Sequence, residues 1–161
     1  MHTANHGNLS YRRGRRAGDG HPDPYRELGK TAGAAVCPQC HVVHEGGHWH
    51  WGKAPEQAVE TTCPACRRAH DRFAAHVVHL RDVPTDHRTE ILSQIYHVAE
   101  VERREHPLER LMQLREEGNQ MEVATTGVHL ARRLMANLLR TWRNRVKVHH
   151  GGDRTLLQWH A

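Results

Sequence analysis

The sequence predicts an α+β protein in which a small cysteine-rich module precedes a helical segment and a strand-helix-hairpin unit. Three observations support this class. All four cysteines lie between Cys37 and Cys66 of the 161-residue chain. Hydrophobic residues at helical spacing follow the cysteines. Residues 120–160 then show the spacing of a strand, of a helix and again of strands. Residues 1–33 have almost nothing to bury and predict a disordered basic arm, followed by the module over 34–82 and an α/β body over 83–161.

The cysteines form two Cys-Pro-x-Cys pairs, Cys37/Cys40 and Cys63/Cys66, separated by 22 residues. Two residues between the cysteines of a pair let both thiolates reach one metal ion at about 2.3 Å. The pattern therefore predicts a tetrahedral Zn²⁺ site with ligands Cys37, Cys40, Cys63 and Cys66, and hence a zinc ribbon. The alternative, two redox or disulfide pairs, is disfavoured because neither pair lies near a βαβ pattern.

Between the two cysteine pairs, the sequence predicts a β-hairpin. Gly46 and Gly47 can supply the positive φ angles of its turn. Trp49 and Trp51 alternate along the following strand, so both side chains are expected on one face. That face is either the core of the module or a platform on which exposed bases stack. Residues 75–80 are interpreted as a strand that ends the module.

The body is predicted from its hydrophobic periods. Helices are expected over about 86–117, because residues 91–99 form one buried stripe. Pro107 would kink or restart the helix, and Gly118 is a suitable helix stop. The remaining predicted elements are a strand at 120–125, a helix at 127–142 and a hairpin at 145–160. A sheet with the helix on one face is the simplest way to bury both apolar surfaces.

The net charge of +5 is distributed unevenly. Residues 83–124 carry five basic and nine acidic side chains, whereas residues 125–161 carry seven basic and one acidic. A basic end of this kind is typical of nucleic-acid binding, and the alternative is that it pairs with the acidic middle within one fold. The predicted nucleic-acid contacts are Arg67, Arg68, Arg132, Arg133, Arg140, Arg143, Arg145, Lys147, Trp49 and Trp51.

Several motifs together resemble a family of small bacterial zinc-ribbon proteins with no assigned activity. The resemblance covers nearly all of residues 34–161. Its motifs are Cys37-Pro-x-Cys40, Trp49-x-Trp51, Cys63-Pro-Ala-Cys66-Arg67-Arg68, Glu105-His106-Pro107-Leu108-Glu109-Arg110 and Thr125-Thr126-x-x-His129-Leu130-Ala131-Arg132-Arg133. Family members are more distantly similar to the N-terminal zinc region of the adaptor that exports the large ribosomal subunit in eukaryotes. The resemblance implies a four-cysteine zinc site, an α/β body and a link to the ribosome. Glycine commonly follows the first cysteine pair in the family, and His41 stands there in this chain.

These observations favour a non-enzymatic zinc-binding protein that binds RNA or the ribosome through its basic C-terminal unit. The alternative is a protein–protein adaptor, for example in a stress response, with a structural zinc and the acidic helices of 83–124 as its docking surface. No apolar run approaches the roughly 20 residues of a membrane span, and no secretory signal is recognisable. We therefore expect a cytoplasmic protein without a membrane or small-molecule partner.

An enzyme is disfavoured because a closed four-thiolate zinc site has no open coordination position. Residues 44–48 do match the His-Glu-x-x-His sequence motif of zinc proteases, but that motif functions only on a helix. The glycine pair within it argues against a helix. Four thiolates would also fill the metal site without the nearby His41, His44 or His70.

Overall fold

The computed structural model describes residues 23–25 and 33–160. Two β-sheets and three α-helices form the fold in this part of the chain, which confirms the predicted α+β class. Most of the predicted arm over 1–33 lies outside the described residues. Tyr25 is nevertheless buried against Phe73, with ring centroids 5.2 Å apart. This part of the predicted arm therefore packs on the fold. No helix within the described ranges is long and apolar enough to cross a membrane.

A small four-stranded sheet carries the first cysteine pair. Its strands are β1 (Ala35–Val36), β2 (Val43–Glu45), β3 (His48–His50) and β4 (Val59–Glu60), in the order β3-β2-β1-β4. Strands β2 and β3 form the predicted hairpin, and the turn residues Gly46 and Gly47 have φ angles of 60° and 84°. Helix α1 (Pro64–Asp71) follows β4 and begins within the second cysteine pair.

A larger five-stranded sheet forms the body. Its strands are β5 (His76–Arg81), β6 (Leu111–Glu117), β7 (Gln120–Thr125), β8 (Val146–Gly151) and β9 (Arg154–Trp159), in the order β6-β7-β5-β9-β8. Strand β5 lies at the centre, antiparallel to β7 and parallel to β9. The sequence predicts that the strand at 75–80 ends the cysteine module, and this prediction is wrong, because β5 is the central strand of the other sheet.

Helices α2 (Arg88–Glu105) and α3 (Val128–Trp142) pack against each other and against this sheet. Alternate residues of β5 and β7, including Val78, Leu80 and Val123, point into the same core as Ile91 and Leu134 of the helices. The succession of β7, α3, β8 and β9 is the strand-helix-hairpin unit that the sequence predicted. Packing the apolar faces of both helices on one sheet explains how the body builds one continuous core although the chain has few aromatic residues.

The predicted helical segment over 86–117 is wrong beyond Glu105. Helix α2 ends there, and Leu111–Glu117 is the edge strand β6. Pro107 stops the helix rather than restarting it, because it cannot donate a helical hydrogen bond. Gly118 has a φ angle of 57° and forms, with Asn119, the two-residue turn between β6 and β7. A Gly-Asn pair between two short apolar segments is a hairpin signal, so the prediction of a helix stop at this glycine is wrong.

Candidate metal centre

The four cysteines converge on one point between the small sheet and α1. Each offers a sulfur atom, and the four sulfurs lie within 4.8 Å of one another. The Cys40 and Cys63 sulfurs are 3.7 Å apart. Ligand sulfurs at about 2.3 Å from a tetrahedral zinc ion would lie about 3.8 Å apart. The group can therefore hold a metal ion with little rearrangement, and a set of four thiolates suits zinc.

The first cysteine pair lies in a tight turn between β1 and β2. The Cys37 amide donates to the Val42 carbonyl at 2.9 Å, and the His41 amide donates to the Cys37 carbonyl at 2.8 Å. His41 has a φ angle of 63°, in the left-handed region that glycine occupies most readily. The turn therefore keeps the backbone conformation that a glycine would favour, even though the side chain is a histidine.

The second cysteine pair forms the N-terminus of α1. Cys63 is the N-cap residue, and its sulfur accepts a hydrogen bond from the Cys66 amide at 3.4 Å. Pro64 occupies the first turn, where its missing N–H costs no helical hydrogen bond. The positive end of a helix dipole stabilises a thiolate. The helix thus positions two of the ligands, and its Cys66 amide favours the charged form of Cys63 against the opposing effect of burial.

The pKa values of three cysteines shift in different directions, although burial acts to raise each of them. Burial raises the pKa of Cys63, and it also raises the pKa of Cys66, where the contact with Cys40 adds to the effect. Burial would also raise the pKa of Cys37, but hydrogen bonds from the Cys63, Cys40 and Gln39 amides outweigh it and lower that pKa to about 7. Of these three cysteines, Cys37 is therefore the one whose thiolate is stabilised most by backbone hydrogen bonds.

Arg110 is not among the residues that the sequence predicts for the site, yet its guanidinium contacts three of the four cysteines. Its Nη1 donates to the Cys66 sulfur at 3.3 Å, and its Nη2 lies 3.1 Å from the Cys40 sulfur and 3.7 Å from the Cys63 sulfur. Burial alone would lower the pKa of Arg110, but the contacts with Cys40 and Cys63 raise it. Four thiolates around a divalent ion carry a net charge of about −2, which this cation partly offsets.

Two of the motifs that carried the resemblance pack against each other and hold Arg110 in place. The Thr126 hydroxyl donates to the Leu108 carbonyl at 2.6 Å, and the Arg110 amide donates to the Thr126 hydroxyl at 2.7 Å. The Glu109 carboxylate accepts from the Leu130 amide at 2.7 Å, in the first turn of α3. The segment that carries Arg110 is therefore fixed at both ends to the start of α3.

The two tryptophans occupy different environments. Trp49 is partly buried and packs against the cysteine cluster. Trp51 is 38 % exposed, and its indole N–H donates to the Arg103 carbonyl at 2.8 Å. The guanidinium carbons of Arg103 and Arg110 each lie 5.7 Å from the centre of the Trp51 ring. Trp49 thus belongs to the module core, and Trp51 is held near two arginines.

The two arginines after the second cysteine pair also differ. Arg67 is partly exposed, whereas Arg68 is 4 % exposed. The Arg68 guanidinium forms a salt bridge with Asp23 and lies 4.4 Å from the centre of the Tyr25 ring. The expectation that Arg68 is presented to a nucleic acid therefore does not fit its position, because it anchors residues that precede the module.

The predicted C-terminal contacts are exposed at the surface, and four of them border neighbouring grooves. Arg133 and Arg140 line a groove of about 380 Å³ between α2 and α3. Arg140 also lines a second groove, of about 540 Å³, together with Arg143 and Arg145. We call these four residues the arginine surface. The other two predicted contacts, Arg132 and Lys147, are exposed but line neither groove.

The histidines near the cysteines are not part of the four-sulfur group that the structure describes. His44 and His48 lie on the two strands of the β2–β3 hairpin, where His44 pairs with Trp49 and His48 with Glu45. These residues therefore do not share a helical face. The match to the zinc-protease sequence motif lies on a hairpin and not on the helix that the motif requires.

Comparison of the chain with protein-family models, with curated proteins and with solved structures found no match in any of the three. The resemblance to bacterial zinc-ribbon proteins therefore remains a prediction from the sequence motifs.

Proposed function

We propose that this is a non-enzymatic zinc protein that binds RNA or the ribosome through the basic side chains of α3 and the segment after it. Zinc is the metal we assign to Cys37, Cys40, Cys63 and Cys66, since four thiolates at tetrahedral spacing are its preferred structural donor set. All four positions are filled by protein, so this metal has a structural role and leaves no site for a substrate.

The observation that carries the RNA proposal is the arginine surface. In the part of the chain that the structure describes, the arginines in salt bridges are Arg68, Arg88, Arg104 and Arg133. Arg140, Arg143 and Arg145 are exposed and have no acidic partner there. The charge pattern also suggested that the basic end pairs with the acidic middle. Among these arginines, Arg133 makes such a contact, with Glu102.

Unpaired arginines at the rim of adjoining grooves suit a phosphate backbone. The guanidinium fork donates two parallel hydrogen bonds to phosphate oxygens. Such contacts position a nucleic acid without reading its sequence. The solvent-exposed side of Trp51 is available for stacking, whereas Trp49 packs in the module core. We therefore expect binding with weak sequence preference and strong dependence on salt.

The test is a salt titration of binding to labelled ribosomal RNA and to ribosomes. The zinc-loaded chain should bind at low salt, with the logarithm of the affinity falling linearly against the logarithm of salt concentration. Replacing the three unpaired arginines by glutamine should weaken binding and reduce that slope by roughly 2, because each phosphate contact contributes about 0.7–0.9. The variant carries Arg140→Gln, Arg143→Gln and Arg145→Gln.

A matched control removes the same charge from exposed arginines elsewhere, with Arg81→Gln, Arg104→Gln and Arg115→Gln. It should keep most of the affinity and of the slope. Absence of binding by the wild-type chain at low salt, or equal losses in both triple variants, would rule out the assigned surface. Capture of a protein partner that stays bound after nuclease treatment would instead favour the adaptor function.

A further inference from the structure

A second group of potential metal ligands lies between α2 and α3, away from the cysteines. At its centre is Glu102, whose side chain is 2 % exposed. Burying a carboxylate is costly unless it is paired. Arg133 Nε donates to the Glu102 Oε1 atom at 2.7 Å. The Oε2 atom lies 3.3 Å from His129 Nε2 and 4.0 Å from His106 Nε2.

The helix geometry explains why these three side chains meet. His106 follows Glu102 by four residues and caps the end of α2, with its amide donating to the Glu102 carbonyl at 2.7 Å. Residues four apart lie on the same helix face. His129 lies in the first turn of α3, and its ring centroid is 5.3 Å from that of His106. The packing of α3 on α2 therefore brings a carboxylate and two imidazoles together.

The spacing of the three side chains suits a metal ion. The three ligand atoms lie within 4.8 Å of one another. Nitrogen and oxygen ligands at about 2.0–2.1 Å from a tetrahedral zinc ion lie roughly 3.3 Å apart. The distance between Glu102 and His129 already matches, and His106 needs only a small side-chain rotation. Both histidines can make such a movement because their side chains are 54 % and 52 % exposed.

A second observation at Glu102 independently favours a bound ion. Although the Glu102 Oε2 atom is buried, it has no hydrogen-bond partner among the described residues. The approach of His129 is close enough for a salt bridge but does not have the geometry of a hydrogen bond. Buried polar atoms are satisfied in the great majority of native proteins. An unsatisfied carboxylate oxygen directed at two imidazoles is therefore best explained by an ion between them.

We propose that Glu102, His106 and His129 bind a second divalent transition-metal ion, with Zn²⁺ as the ion to test. One carboxylate and two imidazoles are a common ligand set for such ions. Arg133 holds Oε1, which leaves Oε2 to the metal and fixes the carboxylate orientation. Three protein ligands leave a coordination position open, unlike the four-thiolate site. His106 and His129 line a groove of about 860 Å³, so that position is accessible to solvent or a small ligand.

The test is equilibrium dialysis of the full chain against buffered free Zn²⁺, with bound metal counted per chain. We expect two ions per wild-type chain, of which a mild chelator removes one. His129→Ala and His106→Ala should each bind one ion. Neither exposed histidine belongs to the core, so the variants should remain folded, which circular dichroism can verify. Two bound ions in both variants, or a single ion in the wild-type chain, would overturn the proposal.

The chain offers a matched control for adventitious binding by histidine. His48 and His50 form another pair, with ring centroids 5.4 Å apart, beside the exposed carboxylate of Glu45. They lack a buried carboxylate. His48→Ala should therefore retain both ions, and loss of one ion in this variant as well would show that any exposed imidazole pair suffices. The proposal does not depend on RNA binding, since the RNA-binding test variants keep all three ligands.

Discussion

Arg110 links the chemistry of the metal centre to the body of the fold. One guanidinium donates to the sulfurs of Cys40, Cys63 and Cys66, and no other described cation contacts more than one of them through a hydrogen bond. Hydrogen bonds to ligand sulfur reduce the charge that the metal must balance. The position of Arg110 could not be predicted from sequence spacing, because it lies 44 positions after the nearest of these cysteines.

Replacing Arg110 by methionine should weaken zinc binding by about 10–100-fold, the usual effect of losing a group that supports metal ligands. Competition with a chromophoric chelator measures the change. Arg103→Met is the matched control, because Arg103 is equally close to the Trp51 ring, at 5.7 Å, but makes no hydrogen bond to a described sulfur. Equal affinities of the Arg110 and Arg103 variants would show that the sulfur contacts have no energetic role.

The first cysteine pair depends on a left-handed residue. His41 has a φ angle of 63°, a conformation that β-branched side chains strongly disfavour. We expect His41→Val to lower the free energy of unfolding of the zinc-loaded protein by about 1–2 kcal/mol, as measured by denaturant titration. His48→Val, at an exposed position on β3, should be nearly neutral. An equally small effect at both positions would argue against this turn geometry.

At the scale of elements, the start of α3 is capped from outside the helix. Gly127 precedes the helix and supplies no capping side chain. The Glu109 carboxylate takes that role by accepting from the Leu130 amide. A Cβ atom at Gly127 would overlap this carboxylate. The glycine is thus required for space, since its φ angle of −142° is open to any residue.

Gly127→Ala should therefore displace Glu109 and destabilise the protein by about 1–2 kcal/mol, the usual cost of a lost helix cap. A double-mutant cycle with Glu109→Ala gives the test. In the Glu109→Ala background, the carboxylate is absent and the alanine should cost clearly less. Identical costs of Gly127→Ala in both backgrounds would contradict the capping role of Glu109.

The central strand β5 carries two histidines whose pKa values are lowered, chiefly by burial: His76 and His79. These two histidines therefore become protonated at a lower pH in the folded state than in the unfolded chain, where histidine has a pKa of about 6.5. The stabilising contribution is present above that pH and is lost as the pH falls. The large sheet should thus weaken in acid independently of metal loss.

We expect His76→Gln to lose less stability than the wild-type protein between about pH 7.5 and about pH 5.5. Denaturant unfolding at several pH values measures the difference. His97→Gln, at an exposed position on α2, should keep the wild-type pH dependence. Because all three proteins retain the cysteines, loss of zinc contributes equally to each. A pH dependence of His76→Gln equal to that of the wild-type protein would refute the assignment.

The sequence predicted the elements whose signals are local. The cysteine spacing, the Gly46-Gly47 turn and the helical period of α3 all appear in the structure. The errors concern pairing between distant segments. Residues 111–117 have an apolar pattern that suits a helix or a strand, and their pairing with β7 decides in favour of a strand. Strand β5 was assigned to the wrong unit because its partners β7 and β9 come much later in the chain.

At the scale of the whole molecule, contacts that cross from the body to the cysteine centre join the two sheets. Arg110 reaches the sulfurs, Leu108 packs against the cysteine cluster, and Trp51 donates to the Arg103 carbonyl at the end of α2. Metal binding in such modules supplies folding free energy. We therefore infer that a metal ion bound there holds the small sheet and α1 together, while the contacts of Arg110 and Trp51 join this module to the body.

The central claim, a structural zinc ion held by four thiolates, is tested most directly by zinc X-ray absorption spectroscopy on the chain loaded with one equivalent of zinc. We expect a first shell of four sulfur atoms at about 2.3 Å, and loss of one of them in Cys63→Ser together with lower thermal stability. A first shell containing nitrogen or oxygen at about 2.0–2.1 Å in the wild-type protein would contradict it, as would unchanged zinc content and stability in Cys63→Ser.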